Sequence, residues 1–490
     1  MAIRSKIKLL GSDTMVYGIG HLLTKIIAFL LIPIYARHLT ISAVGYYAIL
    51  ETVELLFVSL ISSGMQYSLW RFLPKSAKGD LPKFIISGFL GTVVSSGILL
   101  FLFSLFSGEI ALAIGLDLSQ EFLIELVFLN IIFTFGLRYF LYYLQFKRKS
   151  FSYISIALFQ LASIFGLTIW FVVNKGRGLD GLIIAKTITM GLLFFFAMIS
   201  LVWETKVLPS FKHYLQMAKY GVPLIPLILV FPILNLSDRF FLSMFVTPDQ
   251  IGIYSVSYRI GMILQMLLVV PLQRSWLPMM YKMEIDKLEN RDIIRDSLFY
   301  FSVLGGIIFL LISQLGEFIL VAASTDAYIS GAKFIPIILF AYFLNGFRVF
   351  FQSGAALKDQ NEKLGVVAIS GMLVNLGLNW ILISKYGTEG AAWATLISFL
   401  YLTIVIYVLS QREAFINWKW FRISKLIFLI FLLFIGMKQF DILFPSQQIV
   451  GLFVTVLVYT SLLFGFKIVG RRELNSVKYL LNKLKIIKLK

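Results

Sequence analysis

The sequence predicts an all-α polytopic membrane protein with about fourteen transmembrane helices, built as two six-helix bundles related by a parallel internal repeat plus two C-terminal helices. Three observations predict it: a composition unlike that of soluble domains, apolar runs of spanning length along the whole chain, and short motifs that recur at one offset. Of the 490 residues, 59% are hydrophobic and only 14% are charged, whereas soluble domains carry about 25% charged residues. There is no cysteine, which excludes a disulfide framework, a thiolate metal site and a cysteine nucleophile. A net charge of +19 would suggest nucleic acid in a soluble chain. Here the basic residues lie mostly between apolar runs, which is a topology signal instead. No nucleic acid, cofactor or metal is predicted.

Apolar runs fall at approximately 14–36, 44–67, 84–107, 122–144, 153–174, 181–203, 220–243, 253–276, 297–316, 334–357, 365–384, 390–409, 424–440 and 449–468, here called spans 1 to 14. The stretch after the basic segment Met1 to Asp13 is too long for a signal-peptide core, so it is taken as the first retained helix. The N-terminal tail and the even connectors carry Arg4, Lys6, Lys8, Arg71, Lys75, Lys147, Arg148, Lys149, Lys206, Lys282 and Arg291, among others. The odd connectors are poorer in bases and carry Glu109, Asp117, Asp249 and Asp326. The positive-inside rule then places both termini in the cytoplasm. In the basic tail, Leu474, Val477, Leu481 and Leu484 share one helical face, as an interfacial helix on anionic lipid would; a solvated basic tail is the alternative.

Five motif pairs define the repeat. Tyr17-Gly18 matches Tyr220-Gly221, Val44-Gly45 matches Ile251-Gly252, and Trp70 matches Trp276. Gly136-Leu137-Arg138 matches Gly346-Phe347-Arg348, and Gly181 matches Gly390. Their offsets all lie between 203 and 210 residues, and six spans per copy gives both copies the same orientation. The predicted division is 1–213 for the first six-helix bundle, 214–420 for the second, and 421–490 for two extra helices and the basic tail.

An Arg or Lys at mid-membrane costs roughly 2.5–3.5 kcal/mol on insertion scales, so residues that incur that cost are the candidates for a substrate site. They are Lys25, Arg138, Lys186, Arg239, Arg259 and Arg348. Glu51, Glu54, Asp238 and His21 are the candidates for ion or proton coupling. Simpler readings stand beside these. Lys186, Arg239 and Arg259 lie near span ends where long side chains snorkel, Arg138 is placed to meet a lipid phosphate, Asp238 and Arg239 are adjacent enough to form a local structural pair, and His21 fits a satisfied core histidine. Bases outnumber acids in this set, so a cavity they lined would be cationic and would concentrate anions. Glu54 is the exception, either as counter-charge to Lys25 or as a proton carrier. Pro33 in span 1, Pro223, Pro226 and Pro232 in span 7, and Pro271 in span 8 remove backbone hydrogen bonds, which makes these the expected bending helices.

Two stretches resemble a known family. Tyr220-Gly221-Val222-Pro223-Leu224-Ile225-Pro226, continuing through Ser237-Asp238-Arg239-Phe240-Phe241 to Gly252-Ile253-Tyr254-Ser255-Val256, is similar to the Wzx-type polysaccharide flippases. So is Asn375-Leu376-Gly377-Leu378-Asn379-Trp380 with Lys385-Tyr386-Gly387-Thr388-Glu389-Gly390-Ala391-Ala392-Trp393, a pattern shared with the wider superfamily that includes the MATE multidrug exporters. The resemblance implies a V-shaped, MATE-like transporter of the bacterial cytoplasmic (inner) membrane and not an enzyme. It would flip undecaprenyl-pyrophosphate-linked oligosaccharide by alternating access, for O-antigen (lipopolysaccharide), capsule or a similar surface polysaccharide. It also implies membrane lipids, a polysaccharide polymerase and a chain-length regulator as partners, and a cationic cavity onto which Lys25, Arg239, Arg259 and Arg348 are mapped. A peptidoglycan-precursor flippase and a MATE-type cation antiporter share the fold. The short connectors speak against a membrane glycosyltransferase, and the lack of a Gly-rich phosphate loop speaks against ATP hydrolysis.

Overall fold

A computed structural model of the chain describes residues 29–62, 64–77, 79–443 and 448–465. His21, Lys25 and the basic tail lie outside the described residues. Helices follow one another with short connections: α1 (Ile32–His38), α2 (Ile41–Ile61), α3 (Met65–Phe72), α4 (Leu81–Ser104), α5 (Ser107–Ala113), α6 (Glu121–Phe146), α7 (Ser150–Thr168), α8 (Gly178–Thr205) and α9 (Phe211–Gly221). Then come α10 (Ile225–Phe245), α11 (Pro248–Gly261), α12 (Val270–Met280), α13 (Leu288–Ala323), α14 (Phe334–Phe351), α15 (Ser353–Leu357), α16 (Asn361–Glu413), α17 (Trp420–Leu443) and α18 (Gln448–Gly465). No strand occurs among the described residues.

Among the described residues eleven helical segments are long and apolar enough to cross a membrane, and Val450–Leu463 adds a shorter apolar helix. One of the eleven, α16, is 53 residues long and holds a non-helical Gly387 at φ 56°, so it accounts for spans 11 and 12. Thirteen of the fourteen predicted spans are thus accounted for among the described residues, and the first lies mostly outside them. Most helices outrun their apolar runs by a few residues at an end, because polar residues continue the helix into the interfacial zone, beyond the roughly 30 Å hydrocarbon layer. Hydroxyls within the spans bond back to their own helix, as in Thr52 Oγ1 to Ala48 O (2.8 Å), Thr189 to Ala185 O (3.0 Å) and Ser302 to Leu298 O (2.7 Å). That local bond satisfies a polar group where water is absent.

Several of the prolines stand at helix boundaries, whereas Pro232 lies inside the unbroken α10. Pro223 sits in a 3-10 turn, Val222–Leu224, that separates α9 from α10, and Pro226 opens α10. A π-helical segment, Gln265–Val269, immediately precedes α12 with Pro271 near its start. A second π segment, Ile169–Asn174, ends span 5 without any proline. The break of span 2 at Gly64, which has φ 66°, was also not anticipated.

The chain forms two compact units. The first comprises the described residues up to Ile260 with Leu320–Phe334 and Gly365–Ser398. Within it α2 packs along α10 and is pinned at both ends by glycine. At one end the repeat-equivalent Gly45 and Gly252 lie against each other. A Cβ on Gly45 would overlap the Pro248 carbonyl and come within 3.2 Å of the Gly252 nitrogen, and a Cβ on Gly252 would overlap the Ile41 carbonyl and come within 3.2 Å of the Gly45 nitrogen. At the other end a Cβ on Gly64 would lie 2.7 Å from the Gly221 Cα, while Ser68 Oγ donates to Met217 O at 2.8 Å and Arg71 covers the Tyr220 ring at 4.4 Å. A buried aromatic core of Phe84, Phe89, Phe135, Tyr139, Phe140 and Phe194 joins α4, α6 and α8. A separate amide network, Ser237, Asn375, Asn379 and Ser398, links α10 to both arms of α16 through bonds of 3.1–3.2 Å.

The second unit comprises Gly261–Ile319, Ile335–Leu364 and the described residues from Phe399 onward. Its α17 and α18 pack on α13: Tyr459 donates to Val303 O at 3.0 Å, and a Cβ on Gly306 would crowd Ile430 Cδ1 and the Tyr459 hydroxyl. Trp276 lies tilted against Phe350, with ring centres 4.9 Å apart, and donates to Ser353 Oγ at 3.4 Å.

The glycine crossing yields a direct expectation. Gly45→Ala places a methyl group in a backbone carbonyl and should destabilise the protein by about 2 kcal/mol or more, as overpacking does. Gly97→Ala, where nothing lies within 4 Å, should be neutral or stabilising by about 0.5 kcal/mol from helix propensity. Melting temperatures of the two purified variants in lipid nanodiscs compare them directly.

Candidate functional site

Span 2 carries two carboxylates one helical turn apart, Glu51 and Glu54 on α2. Each finds a cation far away in sequence. Glu54 is buried; its Oε2 accepts from Lys186 Nζ on α8 at 2.6 Å, and its Oε1 accepts from Thr134 Oγ1 on α6 at 3.1 Å. Asn130, one turn from Thr134 on the same face, donates to Thr187 Oγ1 at 3.0 Å, so spans 2, 4 and 6 are tied through polar side chains. Glu51 Oε2 accepts from Arg259 Nη2 on α11, and the Arg259 guanidinium lies 5.7 Å from the Tyr35 ring centre. Lys186 and Arg239 are also within electrostatic reach of Glu51.

The third pair is local. Arg239 Nη1 donates to Asp238 Oδ1 at 2.6 Å and to Asn235 O at 2.9 Å, Tyr254 donates to Asp238 Oδ2 at 2.7 Å, and the guanidinium covers the Tyr258 ring at 3.9 Å. Both members are buried. This arrangement engages both Asp238 oxygens and ties α10 to α11, in keeping with the structural alternative raised from its adjacency.

Accessibility separates the three. The side chains of Arg259 and Glu51 are 26% and 25% exposed, those of Lys186 and Glu54 17% and 4%, and those of Arg239 and Asp238 6% and 3%. Only the first pair leaves both charges within reach of a solute. Arg138 lies on α6 one turn beyond Thr134, on the same face, and is exposed; Tyr142 lies within electrostatic reach of it and of Tyr67. It therefore extends the polar face away from the pairs.

Arg348 belongs to the second unit. It is buried on α14, where its Nε donates to Asn345 Oδ1 at 2.8 Å and its Nη1 to Gln352 Oε1 at 3.4 Å. Asn345 also donates to Gln265 Oε1, in the π segment, at 3.2 Å. This amide setting was missed from sequence, although Asn345 and Gln352 stand three before and four after Arg348, the spacing of one helical face.

Glu54 takes Lys186 as its cation; Lys25, the other cation considered for it, lies outside the described residues. Within the paired cluster Glu51, Glu54 and Asp238 balance Lys186, Arg239 and Arg259 one to one, as a charge in a low-dielectric span requires, and the excess of bases over acids among the candidates rests with Arg138, Arg348 and Lys25. Among the described residues no group of three or more His, Cys, Asp or Glu is placed to hold a metal ion.

Comparison with known proteins follows from this geometry. The fold is similar to that of a solved lipid II flippase MurJ in an inward closed conformation, with TM-score 0.75 and 17% identity over 93% of this chain and 100% of that one. It is also similar to an inward-facing multidrug resistance MATE family transporter of the MOP superfamily, with TM-score 0.61 and 12% identity over 84% of this chain and 98% of the other. A Vibrio cholerae MATE transporter matches with TM-score 0.55 and 12% identity over 84% and 97%. These likenesses establish a MurJ- and MATE-like multi-pass membrane fold. No curated protein matches the sequence. A family model described as "Polysaccharide biosynthesis protein" matches residues 10–284, more than half of the chain, and the protein therefore belongs to that polysaccharide biosynthesis family.

Proposed function

We propose that this protein is a flippase that carries undecaprenyl-pyrophosphate-linked oligosaccharide across the bacterial cytoplasmic membrane by alternating access, supplying a surface polysaccharide such as O-antigen or capsule. The observation that carries the proposal is the partly exposed Arg259 in an apolar, membrane-spanning part of a chain from a polysaccharide biosynthesis family. A pyrophosphate headgroup crosses hydrocarbon only with cations around it, and arginine offers a bidentate fork to phosphate oxygens. Arg259, Lys186 and Arg138 are the proposed contacts in the first unit and Arg348 in the second, with Lys25 as a further cation. Arg239, locked by Asp238, contributes through its field. Glu54, held between Lys186 and Thr134, is the proposed carrier of a coupling proton; Asp238 and His21 are weaker choices. Both termini are proposed to face the cytoplasm, and the glycan would pass to a polymerase and chain-length regulator on the far side.

A second reading is favoured by one observation: the likeness to a lipid II flippase extends over 93% of this chain. Lipid II flipping would use the same cations on the same pyrophosphate chemistry and differ only in the sugar. A MATE-type cation antiporter is disfavoured, because each intramembrane carboxylate of the cluster is already held by a base.

Neutral replacement tests the reading. Arg259→Gln and Arg348→Gln should each lower glycan export by about tenfold or more, the worth of a charge-assisted contact, with the lipid-linked precursor accumulating on the inner leaflet. Complementation of a strain lacking the protein, scored by surface glycan, reads this out. If the double variant exported glycan at the parental rate while remaining folded, the flippase site would be misassigned. Rescue of a strain lacking its lipid II flippase would select the second reading.

Asp238→Asn behaves differently. It leaves the buried Arg239 without its carboxylate, and should cost about 3–5 kcal/mol of stability. The expected sign is a loss of folded protein and melting temperature, not a selective export defect.

A further inference from the structure

Arg259 already holds an anion from the protein itself. Glu51 Oε2 accepts from Arg259 Nη2, and among the three pairs of the cluster this is the one in which both partners keep a quarter of their side-chain surface exposed, at 25% and 26%. We propose that Glu51 is an internal competitor for the anionic headgroup, so that substrate binds by exchange: phosphate oxygens replace the Glu51 carboxylate on Arg259, and the carboxylate returns when the headgroup leaves. The inference rests on the flippase reading and assigns Glu51 a part in it distinct from ion coupling.

Three features support exchange over a fixed structural bridge. The displaced carboxylate is not stranded, because Lys186 and Arg239 both lie within electrostatic reach of it. A charge that moves between cations in a low-dielectric region avoids the several kcal/mol that an unpaired ion would cost. The neighbouring pairs are unsuited to exchange: Asp238 is held by Arg239 and Tyr254, and Glu54 by Lys186 and Thr134, each with both oxygens engaged and the carboxylate almost wholly buried.

The third feature is position. Glu51 lies six residues from Gly45, and Arg259 seven from Gly252, so the pair sits about 10 Å along the helices from the glycine crossing, at a rise of about 1.5 Å per residue. Glu51 and Arg259 come from opposite copies of the repeat and bridge α2 to α11 just beyond that crossing. Exchange at Arg259 would remove a bond between the two copies at the moment the headgroup arrives. An anion held by an ordinary cationic patch would have no such consequence.

The test uses the full chain in lipid nanodiscs with farnesyl pyrophosphate as probe. Glu51→Gln removes the competitor while keeping the side-chain shape, and should bind the probe about tenfold more tightly, the worth of roughly one partly exposed ion pair. Arg259→Gln should weaken binding by at least as much, and Arg259→Lys should restore part of it. Glu51→Asp, which keeps the charge on a shorter stem, should lie between Glu51→Gln and the parent, and serves if Glu51→Gln is poorly folded. In export assays Glu51→Gln should lower the apparent KM and also the maximal rate, because release loses the returning carboxylate. Equal binding by the parent and Arg259→Gln would defeat the site reading under the proposed function. Loss of binding in Arg259→Gln, with no tightening in either Glu51 variant, would defeat the competitor alone.

Discussion

The structure depends on how charge is held inside hydrocarbon. A lone arginine or lysine in a span is unfavourable by several kcal/mol and is tolerated when a carboxylate or a set of dipoles meets it. In the first unit each of three cations has one carboxylate, and two of the three bonds cross between distant helices. Those bonds fix the rotation of α2, α8 and α11 about their axes, because a helix turned by even one residue would withdraw its charge from its partner. The buried Ser237, Asn375, Asn379 and Ser398 network does the same for α10 and the two arms of α16 with neutral groups. Apolar packing in lipid has little directional preference, so the polar bonds supply much of the specificity.

Close backbone approach is the second constraint, and it is met by glycine at repeat-equivalent places. Gly45 and Gly252 allow α2 and α11 to touch through backbone atoms. Gly136 and Gly346 each receive a phenylalanine ring, from Phe194 and Phe301 respectively. Gly181 and Gly390 each face the backbone of the preceding span, at Phe171 and Leu382. Three of the motif pairs that revealed the repeat are thus places where a side chain would not fit. This gives the offset a mechanical meaning.

That difference explains what was legible in the sequence. Span number and length could be read because a bilayer demands about 20 apolar residues each time, and the repeat could be read because glycine is irreplaceable where backbones touch. The Asp238–Arg239 pair was visible because its members are adjacent. The partners of Glu51 and Glu54 were not, since they stand 208 and 132 residues away and nothing in local spacing encodes such a meeting. For the same reason a count of charges does not say which of them meet a counter-charge. The π segment at Ile169–Asn174 has no proline to announce it, and Gly64 sits among residues that read as a continuous span.

The graded exposure of the three pairs suggests a division of labour that follows from dielectric alone. A pair shut away, as Asp238 and Arg239 are, gains the most from its mutual attraction and loses the most if broken, so it suits a joint that must persist. A less fully buried pair, as Glu51 and Arg259 are, gains less from that attraction and is the easier to part. The intermediate Glu54 and Lys186 pair has a buried acid and a more accessible base, the asymmetry expected where the carboxylate is kept in place while its cation remains available. Transport of a charged headgroup needs both kinds of bond in one protein: some that hold the helices in register throughout the cycle, and at least one weak enough for an incoming phosphate to replace. Along span 2 these requirements fall on neighbouring turns of a single helix. In the proposed cycle, exchange at Arg259 and the buried Glu54 would therefore be coupled through the position of that helix.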